Sequence, residues 1–247
     1  MSDRQTDTRQ RLAAAHVLVV GVGALGCPAA LGLAAAGIGR LTLLDPDRVE
    51  LSNLHRQPLH RTAAIGTAKV ASAAAALRTA HPAVRIEAVE DRLTADNLAG
   101  WFAGADFVID ATDGAAAKFL INDGAVRGAT PFSHAGILGF LGQTMTVRPG
   151  ASACYRCLFP EPPAPDEVVS CRDAGVIGGL AGLIGAIQAG EAIKHLTGRG
   201  APLIDRLLTV DALTGRWRQV RLRRNPRCPV CATPATARRL DATGVAR

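Results

Sequence analysis

Aromatic residues are scarce: 6 Phe, 2 Trp and 1 Tyr make up 4% of 247 residues. Hydrophobic residues still reach 48%, with Ala and Gly abundant. The core must therefore be built of small aliphatics and close helix packing rather than stacked rings. Long hydrophobic runs are also missing. The longest, Ala174 to Ile187, is too short and too rich in glycine to cross a hydrocarbon layer of roughly 30 Å. The opening residues MSDRQTDTRQR hold no apolar segment of the kind a secretion signal needs. Both absences speak against a membrane role and lead to the expectation of a soluble, cytoplasmic protein. The lack of aromatics also argues against nucleic acid as the partner of the late basic cluster Arg216, Arg218, Arg221, Arg223, Arg224 and Arg227, where only Trp217 interleaves. With a net charge of +7, that cluster reads as a solvated strand face or as a surface for an acidic protein.

A disulfide framework is absent as well. The six cysteines include two C-x-x-C hooks, Cys154/Cys157 and Cys228/Cys231, with Cys27 and Cys171 left over. Four thiolates in two such hooks favour a closed tetrahedral zinc site of structural type over a redox pair.

What the chain does have is concentrated between Val17 and Lys69. An apolar run, Val17 to Val20, ends at Gly21-x-Gly23-x-x-Gly26. Small apolar residues follow at helical density to Ala36, and a second apolar run, Leu41 to Leu44, ends on Asp45. Strand, glycine turn, helix, strand and acid form the first unit of a nucleotide-binding sheet. Gly21 permits the tight turn, Gly23 the approach of a phosphate, and Gly26 close packing of helix on strand. The amides at the helix start favour an anion, and Asp45 can accept ribose hydroxyls. Asn53, His55, Arg56, Gln57 and Lys69 follow closely. A hydride-transfer site, the NAD-dependent oxidoreductase alternative, shares the turn and Asp45 but has no use for the Arg and the Lys. A site that breaks a phosphoanhydride does, because cations stabilise charge developing on phosphoryl oxygens.

At this point the chain resembles the MoeB/ThiF/HesA family, bacterial relatives of ubiquitin-activating enzymes. The residues that carry the resemblance are GVGALG, LLDPDRVELSNLHRQ, GTAK, DATDG, CYRCLFP, SCRDAGV, AIQAGEAIKHLTG and CPVC, in family order along nearly the whole chain. The resemblance implies a Rossmann-like, doubly wound, mostly parallel α/β sheet with helices on both faces and a C-terminal zinc knot of four cysteines. It implies ATP over Gly21, Gly23 and Gly26, with Asp45 and Asp47 beside the ribose and Asn53, Arg56, Gln57 and Lys69 around the phosphates. It also implies an adenylyltransferase acting on a ubiquitin-like sulfur-carrier protein ending in Gly-Gly, with a sulfurtransferase or cysteine desulfurase as a further partner and a homodimer as the assembly. A catalytically degenerate carrier-docking relative is the alternative, kept open by Gly114 and Lys118, where the family has Asn and Arg. Another reason is the N-terminus: the family's Ser-Arg-Gln arginine is replaced by Asp3-Arg4-Gln5, closer to the first strand, leaving Arg4 or Arg9 as substitutes.

The remaining pattern gives one unit over 1–247: an N-terminal segment 1–15, a nucleotide-binding core 16–150, a region 151–232 with zinc site, mobile loop and dimer helix, and a disordered tail 233–247. Ser2 to Arg11 reads as mobile or loosely helical, and a long helix is predicted over Thr62 to Ala80 with Lys69 at its middle. Phe107-Val108-Ile109-Asp110 reads as a strand leading to Asp113, which at a carboxyl strand end is a candidate magnesium ligand. His134 reads as a core histidine, and 136–142 as a glycine-rich turn between strands. A helix is predicted from Asp173 to Leu196. Cys171 just before it gains thiolate character from the helix start, and the resemblance gives it the role of nucleophile or sulfur relay.

Overall fold

The computed structural model describes residues 3–164 and 175–232. Its centre is a sheet of eight strands in the order β3-β2-β1-β4-β5-β6-β7-β8. Strands β1 (His16–Val20), β2 (Arg40–Leu44), β3 (Arg85–Val89), β4 (Phe107–Asp110) and β5 (Phe132–Leu138) run parallel. Strands β6 (Leu141–Val147), β7 (Arg206–Asp211) and β8 (Arg216–Arg221) continue the sheet antiparallel. The chain winds from β1 outward to β3, then crosses back to β4 on the other side of β1. Reversal beside β1 opens a crevice at the carboxyl ends of β1, β2 and β4, where doubly wound sheets bind ligands.

Helices cover both faces. On one lie α1 (Asp3–Ala14), α2 (Gly26–Ala35), α3 (Lys69–Ala80) and the long α7 (Gly178–Thr197); on the other lie α4 (Leu98–Phe102), α5 (Ala115–Arg127) and the short α6 (Tyr155–Leu158). The first core holds Val17 and Val19 of β1 against Ala29, Ala30 and Ala73, and the second holds Leu18 and Phe132 against Phe119 and Ile121. Alternate residues of β1 thus serve opposite cores, as a fully covered parallel strand requires. Small residues let the first layer pack closely. At Gly185 of α7, a Cβ would lie 2.3 Å from the Leu25 carbonyl oxygen and 2.6 Å from the Pro28 Cγ. No helix of the described residues is long and apolar enough to cross a membrane.

Three sequence expectations change, and the N-terminal segment takes its helical alternative. The helix predicted over 62–80 is two pieces: a 3₁₀ turn, Thr62–Ala64, and α3, which begins at Lys69 itself. Gly66, at φ +85, breaks the path between them. The segment 136–142 is no open turn, because β5 and β6 pair through it as far as Leu138 opposite Leu141. The helix expected from Asp173 begins at Gly178, with 173–174 outside the described residues. The N-terminal segment is a helix, α1, which carries Arg9. Cys171 and the tail 233–247 also fall outside the described residues.

Close packing at Gly185 has a measurable consequence. Gly185→Ala forces α7 away from α2 and is expected to cost about 1–3 kcal/mol. Gly190→Ala, on the same helix with nothing within 4 Å of its added Cβ, should be neutral or stabilising by up to about 1 kcal/mol. Urea unfolding of both variants checks the contrast.

Candidate active site and cysteine cluster

A cleft of about 1010 Å³ opens at the crevice. Its back wall is the glycine turn. Gly21 sits at φ +91, where a Cβ would meet the Ala111 carbonyl oxygen at 2.7 Å, and a Cβ on Gly26 would lie 1.9 Å from the Gly21 oxygen. At Gly23 the nearest atom to an added Cβ is 3.6 Å away, so this glycine leaves room rather than avoiding a clash. The backbone is fastened from behind: Gly21 N–H donates to Leu44 O at 2.8 Å, and Val22 N–H to Asp45 Oδ2 at 2.6 Å. The amides of Gly23, Ala24, Leu25 and Gly26 find no acceptor among the described residues. Four unpaired N–H groups at the start of α2 form a place for an anion.

Asp45, Asp47, Asn53, Arg56, Gln57 and Lys69 all line this cleft, and so does Asp113 from the opposite side. Asp45 at the tip of β2 is buried, and its second oxygen accepts from Asp47 N–H at 2.8 Å. Burial pushes its carboxyl above the ordinary value, against the Lys69 charge and the two amide bonds. Lys69 is not an exposed mid-helix lysine: it is buried at the first residue of α3, its Nζ donating to Asp47 Oδ2 at 2.8 Å. Asn53 is buried and accepts from Glu50 N–H at 3.2 Å, closing a capping box around the Leu51–Asn53 turn. Arg56 reaches the cleft while one guanidinium nitrogen donates to Ser52 O at 2.7 Å. Gln57 is 4% exposed, and its Oε1 has no hydrogen-bond partner among the described residues. Asp113 is exposed in the loop after β4, its carboxylate open to the cleft.

The carboxylate at the β4 tip proper is Asp110, which the sequence pattern marks only as the end of a strand. Asp110 is wholly buried. Its oxygens accept from Lys118 Nζ at 3.3 and 3.4 Å, from His134 Nδ1 at 2.9 Å and from the Thr112 hydroxyl at 2.7 Å. Burial raises its pKa, but the Lys118 charge and the His134 bond more than offset this and hold it at about 2. Lys118 also donates to Ala135 O at 2.6 Å, and Gln188 of α7 donates to Asp110 O at 2.9 Å. His134 is therefore a core histidine with a specific partner, kept neutral by burial and by Lys118 nearby. The signal available in the sequence was an acid closing a three-residue apolar run, with a lysine eight positions on.

The two cysteine hooks meet beneath the second core. Cys154 Sγ lies 3.9 Å from Cys157 Sγ and 3.6 Å from Cys228 Sγ, and Cys157 Sγ lies 3.4 Å from Cys231 Sγ. All four ligand atoms fall within 4.8 Å of one another. A tetrahedral zinc with Zn–S near 2.3 Å has S···S edges of about 3.8 Å, so the cluster has the size for such an ion. Asn225 N–H donates to Cys157 Sγ at 3.3 Å, as amides around metal thiolates do.

Fold and cleft define a Rossmann-like α/β protein with a glycine turn of unpaired amides at its crevice and a cluster of four cysteines. The chain belongs to the ThiF family, whose model matches residues 1–230. It is similar to a sulfur carrier protein adenylyltransferase of Thermus thermophilus, 44% identical over 94% of this chain and 88% of the relative. A SAMP-activating enzyme E1 of Haloferax volcanii is 45% identical over 90% and 82%. The adenylyltransferase and sulfurtransferase MOCS3 of Mus musculus is 46% identical over 94% of this chain, which spans 50% of that protein. Among solved structures, E. coli MccB with ATP superposes with a TM-score of 0.82 at 21% identity, over 92% of this chain and 70% of that one, a likeness of fold.

The buried Asp110 predicts acid behaviour. Its folded pKa lies below the ordinary value, so its contribution to stability is complete above about pH 4 and is lost as pH falls through about 2. Lys118→Met removes the ammonium that holds it down. We expect a loss of about 3 kcal/mol at neutral pH and an acid-unfolding midpoint raised by about one pH unit or more, read by circular dichroism.

Proposed function

We propose that this chain is an adenylyltransferase that activates the C-terminal glycine carboxylate of a ubiquitin-like sulfur-carrier protein ending in Gly-Gly. The observation that carries the reading is one cleft lined both by Gly23, Ala24 and Leu25, whose amides have no acceptor among the described residues, and by Arg56 and Lys69. ATP is the second substrate. Its phosphates lie against the Gly23–Gly26 amides, its ribose by Asp45 and Asp47, and its triphosphate within reach of Asn53, Arg56, Gln57 and Lys69. The carrier carboxylate oxygen attacks the α-phosphorus. The bond from that phosphorus to the bridging oxygen breaks, leaving acyl-AMP and pyrophosphate. Arg56 and Lys69 stabilise the charge that develops on the departing oxygens. Lys69 exchanges its Asp47 partner for phosphate, and the cost is modest because Asp47 is 58% exposed and readily solvated.

Asp113, an exposed carboxylate at the cleft, suits a magnesium ion, which takes one or two carboxylates plus substrate phosphates. That ion, when bound, neutralises phosphate charge. The four-cysteine cluster suits a structural zinc in a reducing, cytoplasmic setting. Exposed Leu138, Phe140 and Leu141 on the β5–β6 hairpin, which passes the cleft at Gly136, offer an apolar surface to the body of the carrier. Exposed Leu31 and Leu183 on the packed pair α2 and α7 offer another to a second copy of the chain, as a homodimer. After adenylation, a persulfide supplied by a sulfurtransferase or cysteine desulfurase, with Cys171 as nucleophile or relay, attacks the acyl carbon and expels AMP; a second thiol then cleaves the S–S bond of the acyl disulfide, releasing the thiocarboxylate and leaving a disulfide.

Carrier-dependent exchange of pyrophosphate into ATP tests the reaction against a panel of Gly-Gly-ending sulfur carriers. Exchange is expected with one carrier and not with its tail-deleted form. Arg56→Ala and Asp113→Ala should each lower it on the order of 10²-fold or more with unchanged melting temperature; unchanged turnover in both would refute the site. Metal analysis should give one zinc per chain, and Cys228→Ser should lose it together with several degrees of Tm.

A further inference from the structure

His60 lies behind the glycine turn, is 5% exposed, and is absent from the cleft lining. Its Nε2 lies 3.1 Å from the Val22 carbonyl oxygen, and its Nδ1 lies 3.1 Å from the Ser72 hydroxyl. A carbonyl oxygen has no hydrogen to give, so Nε2 carries the proton and donates it to Val22. Nδ1 is then the bare nitrogen and accepts from Ser72. Burial lowers the imidazole pKa, which keeps it in this neutral form.

The same carbonyl accepts from a second group, the Cys27 thiol at 3.3 Å. Cys27 is fully buried, and burial pushes its thiol up to about 12. It is a hydrogen-bond donor here and not a nucleophile. On the other side of the same residue, Val22 N–H donates to Asp45 Oδ2 at 2.6 Å. Both polar backbone groups of Val22 are therefore held from beneath, one by Asp45 and one by His60 with Cys27. Val22 is the middle residue of Gly21-Val22-Gly23. The Gly23 and Leu25 carbonyls already accept from Cys27 N–H at 3.0 Å and Ala29 N–H at 3.1 Å in α2, so the peptide left to His60 and Cys27 is Val22–Gly23, which carries the Gly23 N–H.

We propose that His60 is a positioning residue for the nucleotide: by donating to the Val22 carbonyl it fixes the Val22–Gly23 peptide, and with it the direction of the Gly23 N–H toward the phosphates. It touches no substrate. Its support comes from the helix that presents the phosphate cation, since Ser72 lies one turn after Lys69 on α3. A shift of α3 is thus felt at both Lys69 and the glycine turn. The role rests on the adenylyltransferase reading, because it presumes that the anion at the turn is the triphosphate.

The test measures ATP binding to the full chain by calorimetry, with ATP KM and kcat in the carrier-dependent exchange. His60→Ala should weaken ATP binding and raise its KM about tenfold, the worth of roughly one hydrogen bond to a preorganised turn, with kcat at saturating ATP unchanged. His60→Gln, which keeps an amide N–H at similar reach, should stay within about threefold of the parent. His60→Phe, which keeps the volume and loses the donor, should behave as His60→Ala does. The proposal is overturned if His60→Phe binds as the parent while His60→Gln does not, since that ranking reports packing alone, or if His60→Ala binds ATP undiminished. A parent chain that binds no ATP would remove the adenylyltransferase reading and this role with it; a parent that binds ATP while all three variants match it would remove only the role of His60.

Discussion

The distance between α2 and the end of β1 governs the rest of the molecule. A Cβ on Gly26 would stand 1.9 Å from the carbonyl oxygen of Gly21, and one on Gly21 would press on the backbone of Ala111. Three backbones, from the turn, from α2 and from the loop after β4, therefore meet with no side chain between them. This contact directs the helix start into the crevice, and it places Asp45 and Asp113 on opposite sides of one opening. It also explains the composition. A layer held this close admits Ala and Gly at its contacts, which is why Ala29, Ala30, Ala73 and Ala192 fill the first core where larger chains would separate the elements.

Charge is partitioned by depth. Asp110 is sealed below the crevice with Lys118 and His134, its oxygens committed to donors within the fold. Asp113, three residues on, is exposed at the cleft. The buried carboxylate fixes the end of β4 to β5 through His134 and to α5 through Lys118. The exposed one has no hydrogen-bond or ion-pair partner among the described residues. A single acid could not do both, since a carboxylate with all its lone pairs engaged and its pKa held near 2 has little to offer an incoming cation. Lys118 thus fits as a structural cation, a lysine at the position where the family has arginine.

The outline of the fold was legible in the sequence because it rests on periodicity and glycine spacing. Strands at 17–20, 41–44 and 107–110, the helix after Gly26 and the pairing of the two cysteine hooks all come from local patterns. What was not legible depends on tertiary partners. The uniform alanine-rich stretch 62–80 has helical composition throughout, and only Gly66 at positive φ ends the first turn and makes Lys69 a helix start. The pairing of β5 with β6 up to Leu138 and Leu141 runs through glycines that weaken any strand signal. Among the candidate site residues, side chains that face the cleft could be named because phosphate chemistry asks for their types. His60, Asp110 and Gln188 could not, since each acts on backbone or on another side chain and carries no motif of its own.

The cysteine knot is distant from the glycine turn along the chain but is joined to the crevice through α5. Asn122 of α5 accepts from Tyr155 N–H at 2.8 Å, and Asp123 pairs with Arg156 at 2.7 Å, so both residues grip the segment between Cys154 and Cys157. The opposite end of α5 begins just after Asp113 and carries Lys118, which ties down Asp110. Tyr155 also packs on His134, with ring centroids 4.5 Å apart. One rigid helix thus links the four thiolates to the loop that presents Asp113. A metal held by the four thiolates would close the hook on which α5 rests and so bear on the cleft through the direction of that helix, without contact with substrate. The loop after β4 is fastened by Ala111 N–H to Val20 O at 2.9 Å and by Thr112 to Asp110, and it runs directly into the first turn of α5.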